Sequence, residues 1–61
     1  MPWTSTWYPS SMKNLPPPVR EKAIEIANAL LEQGYDEGKA IRIAIAKAKE
    51  WAEHGRSLDW R

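Results

Sequence analysis

Two stretches of helical periodicity, separated by a short break, leave this 61-residue chain few possible folds. At about 100° per residue, residues 17–33 place most of their apolar side chains on one arc, and residues 37–54 do the same. Between them, Gly34 suits the left-handed end of a helix and Asp36 suits an N-cap. The sequence therefore predicts an all-α fold, an antiparallel two-helix hairpin with helices at about 17–33 and 37–54.

Alanine dominates the facing sides of the two predicted helices. The apolar arc of the first helix comprises Val19, Ala23, Ile24, Ile26, Ala27, Leu30 and Leu31. The polar residues expected opposite that arc are Glu21, Glu25, Asn28 and Glu32. The apolar face of the second helix comprises Ala40, Ile41, Ala44, Ile45, Ala48, Trp51 and Ala52. Small side chains allow the backbones to approach closely but bury little area, so one side of the hairpin needs a cover.

The N-terminal segment carries the expected cover. Trp3, Trp7 and Tyr8 lie in a stretch far richer in aromatic residues than a disordered tail. Each of them can bury about 150–250 Å², which roughly offsets the cost of ordering the segment. We expect this segment to pack on the hairpin, with a short helical turn near residues 10–14. Three prolines at 16–18 then form a rigid start to the first helix.

The chain is predicted to form one small helical domain over residues 1–61. It divides into an aromatic N-terminal arm at 1–15, the helical hairpin at 16–55 and a tail at 56–61. Structural roles are also predicted for Gly34, Tyr35 and Asp36 at the corner of the hairpin, and for Trp51 on the second helix.

Composition argues against several classes of function. The chain has no cysteine and one histidine, so neither a disulfide nor a structural zinc site is expected, and no cofactor is predicted. Nine basic residues face eight acidic ones, and they are mixed along the chain rather than clustered. No apolar run approaches the roughly 18 residues of a membrane span. These features are typical of a cytoplasmic protein with no membrane partner.

The side chains suggest no catalytic set. His54 lies four residues after Glu50, and a carboxylate–imidazole pair is part of many catalytic sites. A histidine at a helix C-terminus is also favourable against the helix dipole, which explains it without chemistry. No nucleophile accompanies the pair in a known motif, so we predict that the protein is not an enzyme.

Ile43 falls outside the apolar arc of the second helix. It either contacts the N-terminal segment, which we favour, or belongs to a surface for a partner or a second copy. The residues predicted for such a surface are Ile43, Arg42, Lys49 and Trp60. The sequence thus predicts a non-enzymatic module for protein–protein interaction or self-association, whose partner is an unknown protein or a homodimer mate.

A nucleic-acid-binding role is the alternative. Exposed tryptophans would stack on bases, and four basic side chains would contact phosphates: Arg42, Lys47, Lys49 and Arg56. Glu50 and Glu53 interrupt this basic strip, so nucleic acid is the less favoured partner.

Several strings resemble one protein family. The residues Met1-Pro2-Trp3, YPSSMKNL at 8–15, REKAIEIANAL at 20–30 and GYDEGKAI at 34–41 resemble small uncharacterised bacterial proteins of the YdaT-like group. The resemblance covers about residues 1–52. It implies a bacterial, intracellular, stress-associated protein, with some relatives longer than this chain, and supplies no catalytic residues. A looser likeness to ChaB, a family named for cation-transport regulation, rests on Met1-Pro2, Leu15-Pro16 and Val19.

Overall fold

Two antiparallel helices, preceded by an arm with one 3₁₀ turn, form the protein in the computed structural model, which describes residues 2–54. The 3₁₀ helix spans Ser10–Met12, α1 spans Pro17–Glu32 and α2 spans Glu37–Glu53. The predicted all-α hairpin and the predicted turn near residues 10–14 are therefore confirmed. The tail, with Arg56 and Trp60, lies outside the described residues.

The sequence signals at the hairpin corner act as expected. Gly34 has φ of 101°, in the left-handed region that favours glycine. The N–H of Gly34 donates to Leu31 O, and the N–H of Tyr35 donates to Leu30 O, which is a Schellman motif. The side chain of Asp36 accepts a hydrogen bond from the Lys39 N–H at 3.4 Å and caps α2.

The seam between α1 and α2 consists of alanine. Ala23 and Ala27 on α1, and Ala40, Ala44 and Ala48 on α2, are all fully buried. Alanine therefore makes up five of the eight buried hydrophobic residues of the described chain. The predicted thin core is confirmed.

The arm, residues 2–15, closes one side of this seam. Met12 is fully buried in the core cluster with Val19 and Ile24, and it is the largest fully buried side chain of the described residues. Trp3, Tyr8 and Leu15 are partly buried and pack against the same cluster. The predicted packing of the N-terminal segment on the hairpin is confirmed for these side chains.

Two details of the prediction are wrong. Trp7 does not cover the hairpin, because 72% of it is exposed. Asn28 does not lie on an exposed polar face, because only 3% of it is exposed. Both differences arise from the path of the arm. It crosses α1 at Asn28 and then turns back on itself between Thr4 and Trp7.

Neither helix in the described part of the chain has the length and apolar character needed to cross a membrane. Among residues 2–54, histidine, aspartate and glutamate side chains form no cluster of three that could hold a metal ion.

Candidate interaction surface

Asn28 holds the arm on α1 through both the oxygen and the nitrogen of its side-chain amide. The N–H of Trp3 donates to Asn28 Oδ1 at 3.3 Å, and Asn28 Nδ2 donates to the Trp3 carbonyl at 3.0 Å. A buried polar side chain costs free energy unless it is hydrogen-bonded, and here the backbone of the arm provides both partners. The pair therefore fixes the position of Trp3 along α1.

Arg20 makes a second attachment nearer the helix start. Its guanidinium carbon lies 4.9 Å from the centre of the Tyr8 ring, a cation–π arrangement. Its Nη1 donates to the Leu15 carbonyl at 3.2 Å. Asn28 and Arg20 thus bind the arm at two points on α1 that lie about two turns apart.

A tight turn between these two attachments presents Trp7 to solvent. Thr4 and Trp7 form an isolated antiparallel bridge, with the Thr4 N–H donating to Trp7 O at 2.7 Å and the Trp7 N–H donating to Thr4 O at 3.2 Å. Thr4 Oγ1 also accepts from the N–H groups of Thr6 and Trp7, at 3.3 and 3.2 Å. These bonds fix the backbone at Trp7 while its indole is left largely exposed.

An apolar groove lies on the other side of α1. It has a volume of about 360 Å³ and a mostly apolar wall. The lining residues of this open groove are Lys22, Glu25, Ile26, Ala29, Leu30, Gln33 and Lys47. Taking about 100° per residue, Ile26 and Leu30 each lie about 160° around α1 from Asn28. The open groove nevertheless adjoins a cleft lined by Trp3, because Lys22 and Glu25 belong to both linings.

Ile43 belongs to the same side of the hairpin as the open groove. It is half-buried, and it lies one helical turn before the groove-lining Lys47. Ile41 and Ile45, which pack against the core, each lie about 160° around α2 from Ile43. The place of Ile43 in a surface for a partner stays a prediction.

The end of α2 lies close to the start of α1. Lys22 Nζ is 5.0 Å from the centre of the Trp51 ring and 3.0 Å from Glu25 Oε1. Trp51 and Trp3 also line a shallow cleft of about 560 Å³ that extends to Pro18. Trp51 therefore contacts Lys22 of α1 at the edge of the seam.

Tyr35 projects from the hairpin corner. It is 39% exposed, and Lys39 Nζ lies 5.9 Å from the centre of its ring. Tyr35 and Trp7 are the exposed large hydrophobic residues of the described chain, but only Trp7 is exposed over most of its surface.

The structure describes three of the four predicted basic residues and does not bring these three together. Arg42 and Lys49 are exposed and lie about 20° apart around α2, whereas Lys47 is about 140–160° away from them and lines the open groove. Arg56 and Trp60 lie outside the described residues. In residues 2–54 no side-chain hydrogen bond joins Glu50 to His54, which is exposed at the end of α2.

Sequence reasoning missed the special position of Trp7. The signal that was available is the pair of threonines before it, because threonine hydroxyls commonly accept hydrogen bonds from N–H groups further along a turn. The burial of Asn28 had no comparable signal, since its partner is a backbone amide 25 residues away.

Comparison with known proteins identifies the family. The chain is 63% identical over 54 residues to "Uncharacterized protein YdaT" of Bacillus subtilis (strain 168), a match that covers 88% of this chain. The chain belongs to the YdaT-like group. It spans about a third of its YdaT relative, 36% of that protein's length. No family model matches the chain, and no solved structure matches it. The likeness to ChaB stays a prediction.

Proposed function

We propose that this YdaT-like domain is a non-enzymatic protein-interaction module that presents Trp7 to a protein partner. The observation that carries the proposal is the combination of an indole that is 72% exposed with a backbone held by the Thr4–Trp7 bridge. The cytoplasmic location expected from the sequence, and the stress association implied by the family resemblance, are parts of the same proposal.

Trp7 has the properties of a binding anchor. Tryptophan is enriched among the few residues that dominate binding energy at interfaces, because its large ring buries much area while few torsions are frozen. The turn that holds Trp7 removes most of the remaining ordering cost before any partner arrives. The Thr4 hydroxyl and the two bridge hydrogen bonds therefore support a role in recognition.

The polar side chains of the described residues support the non-enzymatic part of the proposal. Over residues 2–54 the side-chain hydrogen bonds join no hydroxyl group to a histidine or a carboxylate, which is how a nucleophile is activated. Lys22 and Glu25 form the ion pair of this region, and they serve to line the groove and to contact Trp51.

The test is affinity capture from a Bacillus subtilis lysate with three immobilised chains. The wild type and a Trp7→Ser variant are compared with Tyr35→Ser, which removes the other exposed aromatic residue of residues 2–54. We expect mass spectrometry to find a protein that the wild type and Tyr35→Ser retain and that Trp7→Ser loses. The same set of retained proteins on all three chains would contradict the recognition of a lysate protein by Trp7.

A stability measurement distinguishes a loss of binding from a loss of folding in the Trp7→Ser variant. Because Trp7 is largely exposed, Trp7→Ser should change the free energy of unfolding by no more than about 0.5 kcal/mol. Urea unfolding followed by circular dichroism checks this value. A larger loss would show that Trp7 supports the fold rather than binding.

A further inference from the structure

We propose that the partner recognised by Trp7 is a second copy of this chain, with the Trp7 indole of each copy inserted into the open groove of the other. This inference rests on the proposed function, and it adds the chemistry and the location of the binding site. It is drawn from the size, the lining and the placement of the open groove.

The open groove suits an indole in size and in lining. Its volume is about 360 Å³, and its apolar wall includes Ile26, Ala29 and Leu30. Pockets of about 300–1,000 Å³ hold drug-sized ligands, and a single indole is smaller than these. The groove is therefore large enough for the Trp7 indole, and the indole would remove the apolar wall of the groove from water.

Charge also favours this occupant. Residues 2–12 of the arm contain no charged side chain, and Lys13 is its one charged residue, so the turn with Trp7 brings no charge that the groove would have to neutralise. The groove lining contains Lys22, Lys47 and one carboxylate, Glu25, which pairs with Lys22 at 3.0 Å, and an ammonium group is attracted to the face of an indole. Lys22 already makes such a contact with Trp51, at 5.0 Å from its centre.

The placement of the two parts makes the exchange mutual. Asn28 fixes the arm on the side of α1 opposite Ile26 and Leu30, and Trp7 is not among the residues that line its own groove. A two-fold axis lets each copy give one indole and receive one, which closes the assembly at two chains. Without that symmetry, the same contact would add one copy after another and produce an open-ended assembly.

The area involved predicts a weak dimer. Two indoles would bury roughly 300–500 Å² and the groove walls about as much again, which is less than the roughly 1,200 Å² of stable interfaces. Dimerisation should therefore depend on concentration and become measurable at high micromolar to millimolar chain concentrations, on the order of 0.1–1 mM.

Nuclear magnetic resonance with two complementary variants tests the contact directly. Ala29→Gln fills the groove at an exposed helical position and keeps Trp7, whereas Trp7→Ser removes the indole and keeps the groove. Nitrogen-15-labelled Ala29→Gln is titrated with unlabelled Trp7→Ser, and the indole N–H signal of Trp7 is followed. An identical titration with unlabelled Ala29→Gln is the control.

We expect the Trp7 indole signal to shift with added Trp7→Ser and to stay unchanged with added Ala29→Gln. Sedimentation equilibrium of the wild type should show dimer at about 1 mM, while each variant alone stays monomeric. Circular dichroism confirms that both variants keep the helical fold.

Two results would overturn the inference: a wild type that is monomeric at about 1 mM, or a Trp7 signal that responds equally to both titrants. These results differ from a failure of the proposed function. If the wild type is monomeric and yet a lysate protein is lost with Trp7→Ser, Trp7 binds another protein and the second copy is the wrong partner. If both experiments fail, Trp7 is not a binding residue.

Discussion

The two sides of the hairpin differ in whether the arm covers them. On the covered side the arm places Met12 in the core and attaches its own backbone to Asn28. On the open side, which carries the groove and Ile43, no other segment of residues 2–54 lies over the two helices. A hairpin with an alanine seam gains stability from the segment that covers one side, and the other side then remains available for contacts. The following substitutions compare the two sides, from the largest expected effect to the smallest.

Met12→Ala should be the most damaging change, because it removes the largest fully buried side chain of the described residues. Replacing a buried methionine by alanine costs about 2–5 kcal/mol, a large part of the stability of so small a domain. Ile43→Ala, on the open side, should cost less than about 1.5 kcal/mol because Ile43 is half-buried. Urea unfolding followed by circular dichroism measures both, and equal losses would refute the difference between the two sides.

Asn28→Ala should detach the start of the arm. It leaves the N–H and the carbonyl of Trp3 without their partner, so we expect a loss of about 1–3 kcal/mol and a red shift of the tryptophan emission. Gln33→Ala removes a polar side chain from the groove on the open side and should change stability by less than about 0.5 kcal/mol. An unchanged emission spectrum in Asn28→Ala would show that Trp3 is held by packing alone.

Gly34→Ala tests the corner that both sides share. A Cβ at Gly34 meets no atom within 4 Å, so the expected loss of about 1–2 kcal/mol comes from its φ of 101° alone. Gly38→Ala is the matched control: its Cβ makes an ordinary 3.7 Å contact with Asp36, and the helix gains up to about 1 kcal/mol. Thermal unfolding should give shifts of opposite sign, and shifts of one sign would contradict this account.

Asp36→Ala should give the smallest effect. The capping hydrogen bond to the Lys39 N–H is long, at 3.4 Å, so its loss should cost about 0.5 kcal/mol, the low end of the range for caps. In a domain of this size that corresponds to a decrease in melting temperature of about 2–4 °C. Asp36→Asn keeps a capping oxygen and should restore most of the stability; if it does not, the negative charge near the helix dipole matters more than the hydrogen bond.

The helices and the corner were predictable because their causes are local. Periodicity located α1 and α2 to within one residue, and Gly34 and Asp36 marked the corner by their own conformational and capping preferences. The alanine seam follows from the same periodicity. Each of these signals lies within a few residues of the structure that it produces.

The parts that sequence reasoning missed depend on contacts across the chain. Asn28 looks polar and exposed until the backbone of Trp3 reaches it. Met12 lies in a segment too short to show periodicity, so nothing marked it as the largest fully buried side chain. Trp3 and Trp7 look equivalent in the sequence, and only the turn at Thr4 directs one onto α1 and the other into solvent.

The hydrogen bonds between Trp3 and Asn28 join residues that are 25 positions apart, and this separation bears on the order in which the parts of the chain fold. The helices and their corner form from residues that are close in sequence, whereas Trp3 must find a side chain 25 residues further along. Closing that longer loop costs more entropy, and the binding site for the arm exists only once α1 has formed. We therefore expect the arm, which is synthesised before the hairpin, to dock after the hairpin has formed. Until the arm docks, both sides of the newly formed hairpin expose apolar surface. Slower docking of the arm should therefore leave the chain prone to aggregation for longer.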